Sequence, residues 1–382
     1  MSRICIVTTT RAEYGLLIPL IKRVENDDEF EVDLIASGTH LSSKYGYTKD
    51  EIEKDGFKIS HEIPILDRDN TSFGIAVTMS NAIKGFAECF KIDRPDIVVI
   101  LGDRTEMLGV ASAALVECIP IAHIHGGEIT EGAVDDCIRN AITKMSQIHF
   151  TANETYRQRV IQMGESPDRV FNVGALGVEN ILSQELMTET EIRSELKIPA
   201  LMKYAVVTYH PVTMENDTVT MQLDELCKAM DKTEEMFYLI TGSNADSGGD
   251  KANELLREYV ESHTNAVFVT NLGMKRYLSA VRYAAFVLGN SSSGIIEAPA
   301  LGTPTVNIGD RQKGRLMADT VICCDPVEKM ITDAIDKSMK MKHKSSSLYG
   351  DGNTSEKIVE IIKRSLKEGI EVKKHFYDIE RR

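Results

Sequence analysis

The sequence lacks any long apolar run and any recognisable N-terminal targeting segment. None of its apolar stretches approaches the roughly 20 residues that a membrane-spanning helix needs. The opening stretch, MSRICIVTTT, reads as a strand with Arg3 inside it, and charged residues follow at once, unlike a secretory signal peptide. We therefore expect a cytoplasmic protein with no membrane partner.

Cysteines with metal-binding or redox spacing are also missing. The chain has 7 cysteines, an odd number, with no CxxC motif, and Cys323 and Cys324 are adjacent. This usage suits a reducing compartment, and it argues against a disulfide framework or a zinc knuckle.

Positive charge is scarce. Lysine and arginine total 44 against 58 aspartates and glutamates, so the formal net charge is −14. A surface that negative repels nucleic acid and anionic lipid, so we expect neither as a partner. A polyanionic small molecule would need a local cluster of arginine and lysine.

What the sequence does contain is an alternation of strands and helices. With 382 residues, the chain is long enough for two domains. Apolar, β-branched runs separated by helical patterns predict an α/β fold with parallel sheets. The predicted strands are residues 4–9, 31–36, 97–101, 119–123, 149–151, 170–173, 204–209, 237–241, 266–270, 286–288 and 305–308.

A domain boundary is predicted near the VGALG motif, which ends at Gly177. We predict an N-terminal domain over residues 1–175, a C-terminal domain over 176–350 and a helical tail over 351–382 that packs back on the N-terminal domain. Both domains are expected to be Rossmann-like, with parallel sheets facing a central cleft. In such folds ligands bind beyond the carboxyl ends of the strands.

In the first domain, polar residues follow the predicted strands directly. Arg11 opens a helix, where it suits a phosphate or serves as a surface helix-capping arginine. His40 is either a ligand contact or an ordinary loop histidine. Asp103 and Arg104 are either functional groups or an N-cap aspartate with its partner.

The densest polar stretch of the chain is HIHGGEITEGAVDDCIRNAIT. His125 ends a strand and is followed by two glycines and Glu128. Asp135 then opens a helix, with Arg139 one turn later. These residues could bind a metal, but HxH on a strand is not the helical histidine pair of a zinc hydrolase. Acid–base chemistry by carboxylates fits the stretch better.

The second domain repeats the pattern with hydroxyls and basic residues. GNSSSG follows a buried strand, a junction that points N–H groups and hydroxyls at an anion such as a phosphate. Glu297 suits a ribose, since a carboxylate accepts hydrogen bonds from two vicinal hydroxyls. His210 is either a ligand group or a buried structural histidine. The candidate ligand-binding residues here are Ser243, Asn244, Ser291, Ser292, Ser293, Glu297, Arg311 and Arg315.

Together, the motifs TRAEYG, HIHGGE, YHPVT, GSNAD, GNSSSG, NIGDRQKGR and the terminal FYDI resemble the hydrolysing UDP-N-acetylglucosamine 2-epimerases. The resemblance spans nearly the whole chain. It implies a GT-B architecture and conversion of UDP-N-acetylglucosamine and water to N-acetylmannosamine and UDP, without a dissociable organic cofactor. It also implies a homo-oligomer, a dimer or a tetramer, with a UDP-sugar as the small-molecule partner.

The resemblance also implies residue roles. Asp103, Asp135 and His210 match family catalytic positions. The matching nucleotide-binding positions are Arg11, Ser291, Ser292, Ser293, Glu297 and Arg311. One position departs from the pattern of the animal and non-hydrolysing relatives, because His125 stands where they have a catalytic glutamate. Either His125 or Glu128 carries that proton transfer.

Three functions remain open. The first is the hydrolysing epimerase acting on UDP-N-acetylglucosamine, for sialic acid synthesis. The second is the same reaction on UDP-2,4-diacetamido-2,4,6-trideoxyglucose, for legionaminic acid synthesis. The third is a GT-B glycosyltransferase, which would use the same UDP pocket with a bound acceptor.

Overall fold

A computed structural model describes residues 1–43, 46–67, 71–129, 134–210, 219–233, 235–242, 249–270 and 272–379. The chain forms two compact units. Unit 1 contains Met1–Asn180 and Gly350–Arg382, and unit 2 contains Ile181–Tyr349. Among the described residues, no helix is long and apolar enough to cross a membrane.

Unit 1 is built on a seven-stranded parallel sheet with the order β3-β2-β1-β4-β5-β6-β7. In register, Ile4 lies beside Val32 on one side and beside Ile97 on the other. The strands are β1 (Ser2–Thr8), β2 (Phe30–Ser37), β3 (His61–Ile63), β4 (Ile97–Leu101), β5 (Ile121–Ile124), β6 (Ile148–Thr151) and β7 (Val170–Asn172).

Helices cover both faces of this sheet. Successive residues of β1 belong to different cores: Ile4 and Ile6 pack in one cluster, and Cys5 and Val7 pack in the other. Burial on both faces is the reason that such strands read as continuous apolar runs. The helices are α1 (Arg11–Glu25), α2 (Lys49–Lys54), α3 (Ser72–Ile92), α4 (Thr105–Val116), α5 (Val134–Met145), α6 (Glu154–Gln162) and α7 (Leu176–Ser183), with α14 (Thr354–Glu368) from the end of the chain.

Unit 2 has a six-stranded parallel sheet with the order β10-β9-β8-β11-β12-β13. Its strands are β8 (Lys203–Thr208), β9 (Met236–Thr241), β10 (Ala266–Val269), β11 (Phe286–Gly289), β12 (Thr305–Ile308) and β13 (Val321–Cys324). Its helices are α8 (Glu189–Glu195), α9 (Val219–Asp231), α10 (Gly249–Ser262), α11 (Gly273–Tyr283), α12 (Glu297–Leu301) and α13 (Glu328–Ser338). Alternate residues of β8 again enter two different cores.

The predicted α/β class with parallel sheets is confirmed. Each predicted strand has a counterpart within two residues, but β3 and β13 were missed. Both are short sheet edges: β3 buries only Ile63, and β13 is only partly buried. Neither strand therefore carries the fully apolar run of a central strand.

The units divide between Asn180 and Ile181, whereas the sequence analysis placed the boundary between residues 175 and 176. The start of α7 belongs to unit 1 because Leu176 lies in its core and the Asn180 side chain donates to the Gly15 carbonyl, at 2.7 Å. The tail helix α14 also lies in unit 1, where Glu179 accepts hydrogen bonds from the backbone and hydroxyl of Ser355 at 2.6 and 2.5 Å.

Candidate active site

In unit 1, the candidate residues follow the carboxyl ends of β2, β1, β4 and β5, which are neighbours in the sheet. Because these strands are parallel, their following loops emerge on one edge. Residues far apart in the sequence are therefore placed side by side at this edge.

Arg139 is the residue that joins these loops. It is 4% exposed, one turn into α5, and its guanidinium donates to the Asp103 carboxylate and, at 2.9 Å, to the Glu128 carbonyl oxygen. It also donates to Asp136 Oδ1 at 3.2 Å. A planar guanidinium with several donors can hold such contacts at once. Arg139 thus fixes Asp103 and the Glu128 loop relative to α5.

Asp103 and Arg104 do not form the capping pair considered above. The residue before α4 is Arg104, and its side chain bonds Glu106 at 3.0 Å, while Asp103 pairs with Arg139. The Asp103 side chain is 25% exposed, so it is open to a ligand. Asp135 lies exposed in the first turn of α5, and its charge acts on Arg104. The edge therefore carries two accessible carboxylates near buried and half-buried arginines.

His123 has a structural role beside the site. It is fully buried, its Nε2–H donates to the Gly102 carbonyl at 2.8 Å, and its Nδ1 lies 3.1 Å from the Thr143 hydroxyl. Burial lowers the pKa of His123 to about 3, so the ring is neutral. The tautomer follows because a carbonyl only accepts. His123 thereby ties the loop after β4 to α5.

His125 is held in an unusual conformation. Its φ is 71°, in the left-handed region that non-glycine residues rarely adopt. Its Nδ1 lies 3.8 Å from the Glu128 carboxylate, and its buried Nε2 has no hydrogen-bond partner among the described residues. Strained, under-bonded side chains of this kind concentrate at functional sites.

The two glycines after His125 are closely packed. A Cβ at Gly126 would lie 3.0 Å from the Thr143 hydroxyl. Gly127 has φ 81°, and a Cβ there would lie 2.3 Å from the Tyr156 carbonyl oxygen. The loop therefore sits against α5 and α6, and at Gly127 only glycine allows this approach.

The end of β1 carries an exposed arginine and a buried glutamate. Arg11 points outward, with its side chain 73% exposed and paired with Glu51 at 2.9 Å. Glu13, which the sequence analysis did not select, is buried and closes a capping box with Thr10. Its Oε1 atom is buried with no hydrogen-bond partner in the part of the chain that the structure describes, and burial raises the pKa of Glu13. The T-x-x-E spacing predicts the cap but not the unpartnered oxygen.

His40 is fully buried, with Nε2 at 3.0 Å from the Thr8 hydroxyl and Nδ1 at 2.8 Å from the Thr48 hydroxyl. Burial lowers the pKa of His40 to about 4. With both ring nitrogens engaged by the protein, this geometry favours the alternative of an ordinary loop histidine.

In unit 2, the strand ends are joined by Asn290, another residue that was not selected. The Asn290 side chain accepts from the His210 backbone N–H and donates to the His210 carbonyl, both at 2.7 Å. The Asn290 carbonyl oxygen accepts from Arg311 at 3.1 Å and from Gln312 at 2.9 Å. His210 and Arg311 are thereby brought together with the start of the GNSSSG motif.

Three buried polar atoms beside that motif have no hydrogen bond of ordinary geometry among the described residues. They are the Ser293 hydroxyl, the Tyr277 hydroxyl and Glu297 Oε2. Burial raises the pKa of Glu297, against its backbone N–H, the nearby Ser293 hydroxyl and the charge of Arg315. Burial, with the nearby Glu297 charge, also raises the pKa of Tyr277 to about 12. Unsatisfied buried groups are rare in native proteins, so this cluster indicates a ligand site.

The backbone at this site comes close to its neighbours. Gly289 has φ 133°, and a Cβ there would lie 2.0 Å from the Thr208 carbonyl oxygen. Ser291 caps the following turn by accepting from the Ser293 N–H at 3.4 Å. Ser292 begins this short turn. The predicted residues Ser243 and Asn244 lie outside the described residues. Within the described ranges, no group of three His, Cys, Asp or Glu side chains could hold a metal ion.

The chain was compared with known proteins. The family model described as "UDP-N-acetylglucosamine 2-epimerase" matches residues 22–363. Two solved structures share the fold over 95% of this chain. They are a UDP-GlcNAc 2-epimerase from Neisseria meningitidis bound to UDP-GlcNAc (TM-score 0.77, 18% identity, all of that chain covered) and one from Methanocaldococcus jannaschii (TM-score 0.78, 16% identity, 99% covered).

Three curated relatives are more similar in sequence. A Campylobacter jejuni protein named GDP/UDP-N,N'-diacetylbacillosamine 2-epimerase (hydrolyzing) is 41% identical, over 84% of this chain and 83% of its own length. The Polysialic acid biosynthesis protein P7 of Escherichia coli is 39% identical, over 99% and 98%. A Legionella pneumophila UDP-N,N'-diacetylbacillosamine 2-epimerase (hydrolyzing) is 35% identical, over 94% and 95%.

Proposed function

The chain belongs to the UDP-N-acetylglucosamine 2-epimerase family, and from this premise we propose that it is a hydrolysing 2-epimerase of a UDP-activated 2-acetamido sugar. The observation that carries the proposal is that, in this family member, buried Arg139 holds the Asp103 carboxylate beside the His125–Glu128 loop. The products are UDP and the free sugar with inverted configuration at C2.

The reaction sets clear chemical demands. The C2 hydrogen of the sugar has no neighbouring carbonyl, so its proton is barely acidic. It leaves as the C1–O bond to UDP breaks and positive charge builds at C1, which produces UDP and the 2-acetamidoglucal. Water then adds across the double bond with the opposite configuration at C2. The protein must supply a base, an acid–base group for water and stabilisation of the departing diphosphate.

We assign the proton transfers to unit 1. Asp103 and Asp135 are the accessible carboxylates of the strand-end cluster. Between His125 and Glu128, we assign the second transfer to His125, because its Nε2 is unpartnered while Glu128 lies 3.8 Å from Nδ1 and can orient the ring. In unit 2, we assign a catalytic role to His210, which matches a family catalytic position.

We assign UDP to unit 2. The hydroxyls and N–H groups of residues 291–293 suit the diphosphate, with Arg311 supplying positive charge. Glu297, whose buried Oε2 has no hydrogen-bond partner among the described residues, suits the ribose hydroxyls. The neighbouring Tyr277 hydroxyl is a further donor for the nucleotide.

Two sugars are candidates. UDP-N-acetylglucosamine is supported by the family description and by the relative that matches 99% of the chain and is named for polysialic acid biosynthesis. It would give N-acetylmannosamine for sialic acid synthesis. UDP-2,4-diacetamido-2,4,6-trideoxyglucose is supported by two relatives, 41% and 35% identical, named for N,N'-diacetylbacillosamine. The two sugars share the acetamido group at C2 and differ at C4 and C6.

Proton and phosphorus NMR in D2O tests the turnover of both candidate sugar nucleotides. Release of UDP together with N-acetylmannosamine carrying deuterium at C2 would support the first sugar and the cleavage of the C2–H bond. Turnover of the 2,4-diacetamido sugar nucleotide alone would select the second. No turnover of either would overturn the epimerase proposal and favour a glycosyltransferase.

A further inference from the structure

The last described residues of the chain form a strap across unit 1. After α14 ends at Glu368, Gly369 turns the backbone with φ 83°, and residues 370–379 continue without helix or strand. We call residues 370–379 the C-terminal strap. Its Ile370 packs against the core of unit 1. The strap is thus an ordered part of the unit that holds the proposed catalytic carboxylates.

The strap is attached at successive points near β6 and α6. The Val372 carbonyl accepts from the Gln147 side chain at 3.4 Å, and the Tyr377 N–H donates to the Gly164 carbonyl at 3.0 Å. Phe376 lies on Gly164 so closely that a Cβ there would be 2.2 Å from its ring. These contacts place Lys374, between them, over the end of α5.

Lys374 bonds the backbone where α5 stops. Its Nζ donates to the Lys144 carbonyl at 3.0 Å and to the Ser146 carbonyl at 2.6 Å. The last carbonyls of a helix have no partner within the helix, and a cation there also interacts favourably with the helix dipole. The strap therefore supplies the positive cap of α5.

The same ammonium group is anchored by Glu165. This carboxylate is 2% exposed and meets Lys374 at 2.6 Å, Lys144 at 2.5 Å and His149 at 3.0 Å. Burial by itself would raise the pKa of Glu165, but His149 and the two lysines lower it to about 2. The cluster is thus a buried anion among three cationic or hydrogen-bonding groups, which fixes the Lys374 geometry.

The other end of α5 carries the proposed chemistry. Asp135 and Arg139 lie nine and five residues before Lys144 on the same helix. At 1.5 Å of rise per residue, Asp135 is about 14 Å from the capped end. A helix this short moves as one body, so a shift of its carbonyl end also shifts the Arg139 guanidinium and with it the Asp103 carboxylate.

We infer that Lys374 of the C-terminal strap is a positioning residue for the reaction, because it fixes α5 and hence the geometry of Asp103, Asp135 and Arg139. This inference rests on the proposed function. It predicts a loss in turnover without a loss in nucleotide binding, since the proposed UDP site is in unit 2. Misplacement of catalytic groups by about 1 Å can cost about a hundredfold in rate.

The test compares three variants of the full-length chain. Lys374→Met keeps the length of the side chain and removes its donors, Lys374→Arg restores a cation, and Lys373→Met alters the exposed neighbour in the strap. We expect kcat to fall about ten- to a hundredfold in Lys374→Met, with KM and UDP affinity within twofold of wild type, partial recovery in Lys374→Arg and no change in Lys373→Met. Hydrogen exchange of the α5 amides should accelerate only in Lys374→Met.

A second disruption separates positioning from the chemistry of the lysine. Gly164→Ala displaces Phe376 and should lower kcat in the same direction while leaving Lys374 intact. If the wild type is active and Lys374→Met has an unchanged kcat, the inference is overturned but the proposed function stands. Equal losses of kcat and UDP affinity in Lys374→Met would have the same meaning. A wild type that turns over neither sugar would instead overturn the proposed function.

Discussion

At the scale of single residues, the candidate site depends on one buried arginine. Arg139 holds the Asp103 carboxylate, after one strand, and the Glu128 carbonyl, after another. It therefore acts by orienting these groups as well as by its charge. Sequence patterns identified Arg139, Asp103 and Glu128 as candidates. They did not reveal that the first binds the other two, because a hydrogen-bond partner 36 residues away depends on strand order.

Replacing Arg139 with lysine should keep the charge and lose the fork of donors. We expect kcat to fall at least about a hundredfold, because Asp103 loses its orientation, while UDP affinity stays unchanged. Steady-state kinetics and calorimetric UDP titration measure the two quantities. Arg94→Lys is the matched control, since Arg94 also bonds a carbonyl, that of Cys118, away from the site. A fully active Arg139→Lys variant would contradict the assignment.

His125→Gln and Glu128→Gln distinguish the two candidates for the second proton transfer. If His125 carries the proton, its variant should lose about a hundred- to ten-thousandfold in kcat, and Glu128→Gln should lose much less. Both variants should still bind UDP. The reverse order of activities would transfer the role to Glu128.

Burial of His123 predicts a pH dependence of stability. Its folded-state pKa of about 3 lies below the ordinary 6.5, so between these values the unfolded chain binds the proton and the folded chain does not. The contribution of neutral His123 to the free energy of unfolding is therefore fully present above pH 6.5. It is lost as the pH falls toward 3, by up to about 1.4 kcal/mol per pH unit. Urea unfolding at pH 7, 6 and 5 measures the slope, and His123→Asn should make it shallower. An unchanged slope would argue against a neutral buried ring.

At the scale of elements, the loop after β5 is shaped by what packs against it. Gly127 combines a left-handed φ with a close approach to α6, whereas Gly56 has a similar φ of 92° and nothing within 4 Å of its absent Cβ. Without a Cβ, glycine allows either a sharp turn or a close approach of the backbone to a neighbour. Only the position of α6 shows that both apply at Gly127.

Gly127→Ala and Gly56→Ala therefore separate two costs. Backbone strain should lower the free energy of unfolding of both variants by about 1 kcal/mol. In Gly127→Ala, overpacking against Tyr156 should lower it by a further 1–3 kcal/mol or so. Chemical denaturation of both variants gives the difference directly. Equal losses would mean that the loop moves away from α6 without cost.

At the scale of the whole molecule, the two units carry different kinds of groups. Unit 1 presents carboxylates and histidine at its strand ends, and unit 2 presents hydroxyls, Arg311 and a buried carboxylate. This distribution suits a division between proton transfer and nucleotide binding, and it allows the two to be tested separately.

Asp103→Asn should abolish turnover while UDP still binds, and Arg311→Ala should mainly weaken UDP binding. Calorimetry with UDP and NMR assays of turnover measure both effects. The exposed Lys313, two residues from Arg311, provides the control variant Lys313→Ala. Loss of UDP binding in a folded Asp103→Asn variant would contradict the division, and so would intact binding in Arg311→Ala.

By itself, the sequence determined the α/β class, the central strands and the strand-end motifs, because each depends on local periodicity and on glycine, serine or charge within a few residues. The tertiary structure decided the rest. It paired Asp103 with Arg139, placed Asn290 between His210 and Arg311, and set Lys374 on carbonyls up to 230 residues away. It also buried His40 and turned Arg11 outward. Such outcomes depend on strand order and on which residues cover each side chain. A local sequence pattern predicts neither of these.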